Sequence, residues 1–306
     1  MKDLITIDQL HQKDIKNIFE IAKEYKERFK NGEKKFNDLK GQSILLVFFE
    51  NSTRTRTSFE LAGKILGADT INISATSSSV KKGETLYDTV KTLEAMKTDF
   101  IVIRHYMSGA ASIVAKSVKS HVINAGDGTY QHPSQALLDA FTIMEKKGSI
   151  SGLKIAIVGD ILHSRVARSD IKLFKKLGAE ITICGPITML PRYPAVLGAD
   201  YITTDVEDAI KDKDVVIFLR IQLERQDKPF FSSLREYSIK YGLNQKRLDM
   251  MKEDVLIMHP GPVNRGVEIE SELVYGDKSL ILEQVENGLF IRMAIYKYLK
   301  DSKLKY

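Results

Sequence analysis

The sequence predicts an α/β protein of two doubly wound domains, each with a central parallel sheet flanked by helices, joined by interdomain helices. Its 306 residues suit two domains better than one. Segments with helical and strand-like patterns alternate along the chain, which is typical of parallel sheets covered by helices. The strand candidates are short, uninterrupted apolar runs such as residues 43–49, as expected for strands buried on both faces.

The first half of the chain contains four predicted strands. Apolar residues recur at close to helical spacing from Ile7 to Phe29, and the polar stretch Glu50-Asn51-Ser52 separates the first strand from the next helix. The predicted strands are residues 43–49, 70–73, 100–103 and 122–124, and the predicted helices are residues 7–29, 54–66, 86–96 and 133–147.

The second half opens with a further apolar run. Gly148-Ser149 and Ser151-Gly152 bracket one isoleucine, which predicts a domain junction near residues 147–152. We expect one domain at residues 1–147, joined by the C-terminal helix 283–306, and a second at residues 148–282. In the second half the predicted strands are residues 153–158, 181–183, 215–219 and 255–258, and the predicted helices are residues 165–177 and 280–299.

Composition and charge exclude several classes of protein. The net charge is +6, but the lysines are spread along helix faces, which argues against a nucleic-acid partner. The sequence has no run of about 18 apolar residues and no apolar stretch at its N-terminus, so we expect neither a membrane span nor a signal peptide. Cys184 is the one cysteine and cannot form an internal disulfide, which favours a reducing, cytoplasmic compartment.

Hydroxyl groups and an arginine lie between the first strand and the next helix, at Ser52, Thr53, Arg54 and Thr55. The N–H groups and dipole of a helix N-terminus attract anions, and a guanidinium fork matches phosphate oxygens. The sequence lacks the Gly-x-x-x-x-Gly-Lys loop of nucleotide-binding proteins. The alternative is an N-capping cluster before an ordinary helix, but Arg54 among the hydroxyls favours an anion site.

Other polar residues follow the remaining strands of the first half. Arg104 ends one predicted strand, and His132 and Gln135 follow the next. Ligands of open α/β sheets bind at the carboxyl ends of strands, so we expect these side chains to converge on the anion site. Lys82, in the polar segment 77–84, is placed to close over an anionic ligand, although that segment also fits a solvated surface loop.

The second half places single arginines at strand exits. Arg165 follows one predicted strand, and Arg220 ends another with Gln222 close behind. Arginines facing an interdomain crevice suit a substrate with two carboxylates, and the alternative is ordinary surface ion pairs. After the last strand, His259-Pro260-Gly261-Pro262 presents carbonyl oxygens, because proline has no N–H to offer. Gly159-Asp160 does not make a Gly-x-Gly-x-x-Gly fingerprint, so a dinucleotide is excluded.

Taken together, these segments resemble the aspartate/ornithine carbamoyltransferase family over nearly the whole chain. Residues 48–60 resemble its carbamoyl-phosphate signature, and residues 132–139 resemble its second signature. Residues 81–85 resemble the lysine loop of the aspartate-using members, and residues 219–225 resemble their aspartate-binding loop. The ornithine enzymes have His-Cys-Leu-Pro where this chain has His259-Pro260-Gly261-Pro262, which favours the aspartate-using branch.

The resemblance implies a role for each candidate residue, with no metal and no organic cofactor. Carbamoyl phosphate would be bound by Ser52, Thr53, Arg54, Thr55, Arg104, His132, Gln135 and the carbonyl groups of Pro260 and Gly261. L-Aspartate would be bound by Lys82, Arg165, Arg220 and Gln222. The catalytic residues would be Arg54, Thr55, Arg104, His132 and Lys82.

The resemblance also implies an assembly and a metabolic place. Ser78 and Lys82 would come from the neighbouring subunit of a homotrimer with shared active sites. Further partners would be a regulatory chain or dihydroorotase, and the reaction would belong to de novo pyrimidine biosynthesis. Two alternatives stay open: a carbamoyltransferase for another amine, ornithine or putrescine, and a non-enzymatic polyanion-binding protein.

Overall fold

The computed structural model of the chain describes residues 1–74, 85–221 and 233–302. It divides into two compact units, Met1–Leu137 with Asn287–Tyr306, and Leu138–Glu286. Each unit is built on one parallel sheet with helices, which confirms the predicted fold class. The predicted junction at residues 147–152 follows the end of the helix Pro133–Lys147. The boundary between the two compact units lies within that helix, between Leu137 and Leu138.

The first unit contains a four-stranded sheet in the order β2-β1-β3-β4, with every neighbouring pair parallel. The central strand is buried from Ile44 to Phe48, as expected for an apolar strand covered on both faces. The strands are β1 (Ser43–Phe48), β2 (Asp69–Ser74), β3 (Phe100–His105) and β4 (His121–Asp127), and the helices are α1 (Gln12–Lys30), α2 (Thr53–Ile65), α3 (Leu86–Ala95), α4 (Ala110–Ser117) and α5 (Pro133–Lys147).

The end of the chain returns to the first unit. The last helix, α10 (Ile281–Asp301), carries Tyr296, whose ring packs edge-on against Phe59 and Phe100 at centroid distances of 5.8 and 5.3 Å. Its Asn287 accepts a 2.6 Å hydrogen bond from the buried Lys26 of α1. These contacts explain why residues from Asn287 onward belong with residues 1–137.

The second unit contains a five-stranded parallel sheet in the order β7-β6-β5-β8-β9. Its core includes Ala156, Val158, Val216 and Phe218 from the two central strands. The strands are β5 (Lys154–Val158), β6 (Glu180–Cys184), β7 (Tyr201–Thr203), β8 (Val215–Phe218) and β9 (Leu256–Met258), and the helices between β5 and α10 are α6 (Arg165–Lys176), α7 (Val206–Ile210), α8 (Leu234–Tyr241) and α9 (Gln245–Asp249).

Several short elements escaped prediction. Strand β7 has three residues, and its Tyr201 and Ile202 are exposed, so no buried apolar run marks it. Helices α7 and α9 have five residues each, which is too short for a helical period to show. Across the described ranges, no helix combines the length and hydropathy needed to cross a membrane.

A pair of buried acids lies inside the second unit. Asp139 of α5 and Asp170 of α6 both have no exposed surface, and Asp139 Oδ1 accepts a 2.6 Å hydrogen bond from Gln284 Nε2. Within the described part of the chain, no group hydrogen-bonds to either oxygen of Asp170. Burial, with the negative charge of Asp139 in addition, raises the pKa of Asp170 well above its usual value. Both effects favour the neutral form of Asp170.

Replacing Asp170 by asparagine should stabilise the protein, and increasingly so as the pH rises. An unfolded aspartate ionises near pH ~3.9, whereas folded Asp170 keeps its proton, so folding costs about 1.4 kcal/mol more for each pH unit between the two pKa values. Asparagine carries no such cost. Thermal unfolding of both proteins at pH 5, 6, 7 and 8 measures the effect. Asp277→Asn, at an exposed position, controls for the lost charge, and a gap in melting temperature that stays constant with pH would contradict the assignment.

Candidate active site

The strand order of the first unit switches between β1 and β3. Strand β1 lies between β2 and β3, so the chain leaves β1 toward one side and later returns on the other. Ligands of open α/β sheets bind at such a switch in strand order. Ser52 to Thr55 follow β1. Arg104 is the penultimate residue of β3 and is in register with Phe48 of β1.

Helix α2 begins at this point with the hydroxyl-rich segment. Ser52 is the N-cap residue, but its side chain makes no capping hydrogen bond among the described residues. The first turn contains no acidic residue, and its opening N–H groups have no partner within the helix itself. Thr55 is buried, whereas Thr53 and Arg54 are exposed. This geometry suits an anion at the helix N-terminus better than the capping alternative.

Arg104 is held by two neighbours at the strand ends. Its Nη2 lies 3.1 Å from Glu50 Oε1, and its Nη1 donates to the carbonyl oxygen of Ala125 at 3.3 Å. The register of β3 and β4 shifts between Ile103 and His105, which is a β-bulge opposite Arg104. An anion that binds Arg104 therefore competes with Glu50. The sequence did not predict this ion pair.

The neighbouring His105 has a structural environment. Its ring lies against Phe49 and Tyr106, with centroid distances of 4.7 and 4.3 Å. Its Nδ1 accepts the N–H of Met107 at 2.9 Å, and burial lowers the pKa of the imidazole although the charge of Glu50 opposes this. His105 is thus a neutral packing residue rather than part of the anion site.

A buried polar network fixes the turn that carries His132. Asp127 accepts hydrogen bonds from Asn124 Nδ2 at 2.9 Å, from Gln131 N at 3.2 Å and from Gly109 N at 2.8 Å. The side chain of Gln131 in turn accepts the N–H of Ile7 at 2.7 Å. His132 is buried directly after this turn, and its carbonyl accepts the N–H of Gln135 at 3.0 Å in the first turn of α5.

In the second unit, the polar candidates follow three adjacent strands. Strands β5, β8 and β9 are neighbours, and their carboxyl ends lead to Arg165, Arg220 and Pro260 respectively. Arg165 is the buried first residue of α6, which Ser164 caps by accepting the N–H of Ala167 at 3.1 Å. Arg220 is half-buried two residues after β8.

The turn between β5 and Arg165 has a specific shape. Asp160 Oδ1 accepts the N–H of His163 at 3.1 Å and lies 2.9 Å from its Nδ1. Gly159 has φ +132°, and an added Cβ would come within 3.0 Å of Leu219 Cβ and 3.2 Å of the Tyr237 hydroxyl. Glycine is therefore required where this turn passes the β8 exit.

Glu268, which sequence reasoning missed, ties the β8 and β9 exits together. This carboxylate has no exposed surface and accepts the N–H of Ile221, directly after Arg220, at 2.8 Å. It also accepts from Asn264 N at 2.7 Å and Asn264 Nδ2 at 2.8 Å. Burial raises its pKa while these hydrogen bonds oppose the shift. A charged residue between Val267 and Ile269 was the available signal for a buried carboxylate.

The segment His259-Pro260-Gly261-Pro262 folds back on itself. His259 is buried, and its Nδ1 accepts the N–H of Gly261 at 2.8 Å. Gly261 has φ +63°, the left-handed region where a Cβ is unfavourable, and the peptide bond to Pro262 is cis. The backbone N–H of His259 donates to Gln284 Oε1 at 3.0 Å. Both backbone N–H groups of these four residues are therefore already engaged.

Each unit thus brings its own candidates to one sheet edge. The first unit gathers Ser52, Thr53, Arg54, Thr55, Arg104, His132 and Gln135 on the exits of β1, β3 and β4. The second unit gathers Arg165, Arg220, Pro260 and Gly261 on the exits of β5, β8 and β9. Ser78, Lys82 and Gln222 lie outside the described residues.

Two open, all-parallel sheets with cationic and hydroxyl side chains at their strand exits define a two-domain α/β protein of the kind that takes small anionic ligands. The sequence model of the aspartate/ornithine carbamoyltransferase carbamoyl-P binding domain matches residues 2–145, and that of the Asp/Orn binding domain matches residues 151–299. The chain belongs to the aspartate/ornithine carbamoyltransferase family.

Individual relatives agree with this assignment. The aspartate carbamoyltransferase catalytic subunit of Ruminiclostridium cellulolyticum is 54% identical over 294 residues, covering 96% of this chain and 94% of that relative. The aspartate transcarbamoylase of Trypanosoma cruzi, solved with carbamoyl phosphate and aspartate, is 29% identical with a TM-score of 0.89 and covers 97% and 96% of the two chains. The ornithine carbamoyltransferase of Pyrococcus furiosus is also 29% identical, with a TM-score of 0.88 and coverage of 99% and 98%.

Proposed function

We propose that the chain is an aspartate carbamoyltransferase. It transfers the carbamoyl group of carbamoyl phosphate to the amine of L-aspartate and releases N-carbamoyl-L-aspartate and phosphate, as a step of de novo pyrimidine biosynthesis. The observations that carry the proposal are the hydroxyl-rich start of α2 in the first unit and, in the second unit, Arg165 and Arg220 after β5 and β8. Relatives at 54% identity that carry the aspartate name support the same choice of amine.

Carbamoyl phosphate binds to the first unit. Its phosphate lies at the N-terminus of α2, where Ser52, Thr53, Arg54 and Thr55 donate to its oxygens and the helix dipole favours its charge. Arg104 completes this site by exchanging Glu50, now 3.1 Å away, for a phosphate oxygen. A bidentate guanidinium–phosphate pair is stronger than the single contact it replaces.

The carbamoyl group is oriented by donors on one side and acceptors on the other. Thr55, Arg104 and His132 donate to the carbonyl oxygen and stabilise the negative charge that develops there. The side-chain oxygen of Gln135 and the carbonyl groups of Pro260 and Gly261 accept from the NH2 group. This division matches the backbone of the His259–Pro262 segment, whose N–H groups are both engaged and whose carbonyl groups can accept.

L-Aspartate is held through its two carboxylates by Arg165, Arg220, Gln222 and Lys82. Its neutral amine attacks the carbamoyl carbon, so that a C–N bond forms and a tetrahedral oxyanion results. The C–O bond to phosphate then breaks, and the leaving phosphate takes the amine proton. Most of the rate comes from placing the two reactants in line and from fixed donors at the oxyanion, without a covalent intermediate.

The active protein, on this proposal, is a cytoplasmic homotrimer. Ser78 and Lys82 reach the site from the neighbouring subunit, so each site needs two chains. The relatives are named catalytic subunits, which supports a further partner, either a regulatory chain or dihydroorotase. Neither a metal ion nor an organic cofactor takes part in the steps above.

The nearest rival is a carbamoyltransferase for a cationic amine. The structural likeness to an ornithine enzyme shows that the fold alone does not choose between the substrates. Ornithine or putrescine would require carboxylates where Arg165 and Arg220 stand. Product formation measured in parallel with aspartate, ornithine and putrescine decides the matter. Turnover with aspartate alone supports the proposal, and turnover only with a cationic amine would refute it.

Arg54→Ala should lower kcat by ~10²–10³ while leaving the fold intact, because it removes one fixed donor to the phosphate and its developing charge. Steady-state kinetics and circular dichroism of the purified variant measure both effects. Arg28→Ala, at a half-buried arginine of α1 that pairs with Glu24 and Glu33, is the control and should keep normal turnover. Near-normal kcat in Arg54→Ala would remove Arg54 from the mechanism.

Arg220→Ala should impair the use of aspartate and spare carbamoyl phosphate. Losing a charge-assisted hydrogen bond to a carboxylate raises KM for aspartate by roughly 10–100-fold. Inhibition by inorganic phosphate reports the other half of the site and should stay within about threefold. Arg192→Ala, at an exposed position of the second unit, is the control. Weakened phosphate binding with normal aspartate use would reverse the assignment of the two units.

Mixing two inactive variants tests the shared site. Lys82→Ala and Arg54→Ala chains, unfolded and refolded together, form hybrid trimers in which one site draws both intact residues from different chains. Activity should reappear in the mixture and stay absent when each variant is refolded alone. A mixture that forms hybrids by mass spectrometry but shows no activity would argue that each site lies within one chain.

A further inference from the structure

We propose that Gln284 of α10 is a positioning residue that makes the carbamoyl site selective for an NH2 group, by holding the backbone of the His259–Pro262 segment so that it offers acceptors only. The inference rests on the proposed function, in which the carbonyl groups of Pro260 and Gly261 accept from the carbamoyl NH2. Gln284 itself does not touch the substrate in this account. It acts through the backbone of His259.

The side-chain amide of Gln284 is a buried bridge. Its Oε1 accepts the backbone N–H of His259 at 3.0 Å, and its Nε2 donates to Asp139 Oδ1 at 2.6 Å. Only 3% of Gln284 is exposed, and Asp139 and His259 are also buried. These hydrogen bonds are therefore shielded from bulk solvent. The orientation of the amide is forced, because a backbone N–H can only donate and an ionised carboxylate can only accept.

The backbone N–H groups of the segment already have acceptors within the protein. The N–H of His259 goes to Gln284, and the N–H of Gly261 goes to His259 Nδ1 at 2.8 Å. Pro260 and Pro262 have no N–H. The backbone of the segment therefore offers a ligand only carbonyl oxygens, which can accept from an NH2 group and make no hydrogen bond to a methyl group of the same size.

Removing the bridge changes this balance. Without Gln284, the N–H of His259 becomes a buried donor without an acceptor, which is costly enough to rotate the peptide or to admit water. Either change disturbs the peptide that leads into Pro260. The loss should therefore fall on recognition of the NH2 group and not on recognition of the phosphate.

Two stable ligands separate these effects. Phosphonoacetamide carries the NH2 group of carbamoyl phosphate, and acetonylphosphonate has a methyl group in its place. Calorimetric dissociation constants of both, with inorganic phosphate as a third ligand, give the selectivity of the intact protein and its variants. We expect the intact protein to favour phosphonoacetamide by roughly tenfold or more, since a satisfied hydrogen bond is worth about that factor.

Gln284→Leu should bring this ratio close to one and leave the affinity for inorganic phosphate within about twofold. Gln284→Asn, one methylene shorter, cannot span both partners and should lose the selectivity as well. Gln284→Glu keeps an oxygen for the N–H of His259. Its second oxygen, facing Asp139, must carry a proton and so donates as the amide does, and the selectivity should be retained.

The outcomes distinguish the inference from the proposed function. No preference for phosphonoacetamide in the intact protein would overturn the proposed role of Pro260 and Gly261. A preference that survives in Gln284→Leu would overturn the role of Gln284 alone. If Gln284→Leu does not fold, retention in Gln284→Glu and loss in Gln284→Asn support the inference, and equal behaviour of the two contradicts it. Val274→Ala, a core truncation in the same unit, should lower stability without changing the ratio.

Discussion

Burial of both sheet faces is the constraint from which the arrangement of this protein follows. Central parallel strands such as β1 and β5 are covered by helices on either side, and their apolar side chains fill the two cores. Polar chemistry then has only the strand ends to occupy. The strand order switches between β1 and β3, so the connections after these strands leave in different directions. The helix that follows β1 begins at this end of the sheet with its N-terminal N–H groups. The candidate hydroxyl and guanidinium groups lie at these strand ends, outside the apolar strand cores.

The candidate residues lie at strand ends, and catalysis by positioning requires that such residues keep a fixed geometry. In this protein, buried polar side chains supply the rigidity. Asp127 fixes the turn before His132, Glu268 joins the β8 exit to Asn264, and Gln284 holds the backbone of His259. Each accepts backbone N–H groups that would otherwise be unpaired, which favours the observed backbone at these points. Such preorganisation is what catalysis by positioning and fixed donors requires.

The sequence predicted the long elements because these leave local signals, and the candidate site residues rest on local signals of the same kind. Residues 133–147 were expected as a helix, and α5 is Pro133–Lys147. The five-residue helices and the exposed edge strand β7 leave no period to detect. The partners of the candidate residues were equally hidden. Glu50 pairs with Arg104 from 54 positions away, and Glu268 reaches Ile221 from 47 positions away, so only the folded chain brings them together.

The proposed reaction requires two recognition sites, one for a phosphoryl group and one for an amino acid with two carboxylates. Both must be occupied at the same time. A bisubstrate compound joining a phosphonate to L-aspartate, such as N-(phosphonacetyl)-L-aspartate, tests this most directly by calorimetric titration. The account predicts binding at least ~10²-fold tighter than phosphonoacetate or succinate alone, because linking converts the second contact into an intramolecular one. A compound that binds no tighter than its phosphonate half, at any concentration of protein, would contradict it.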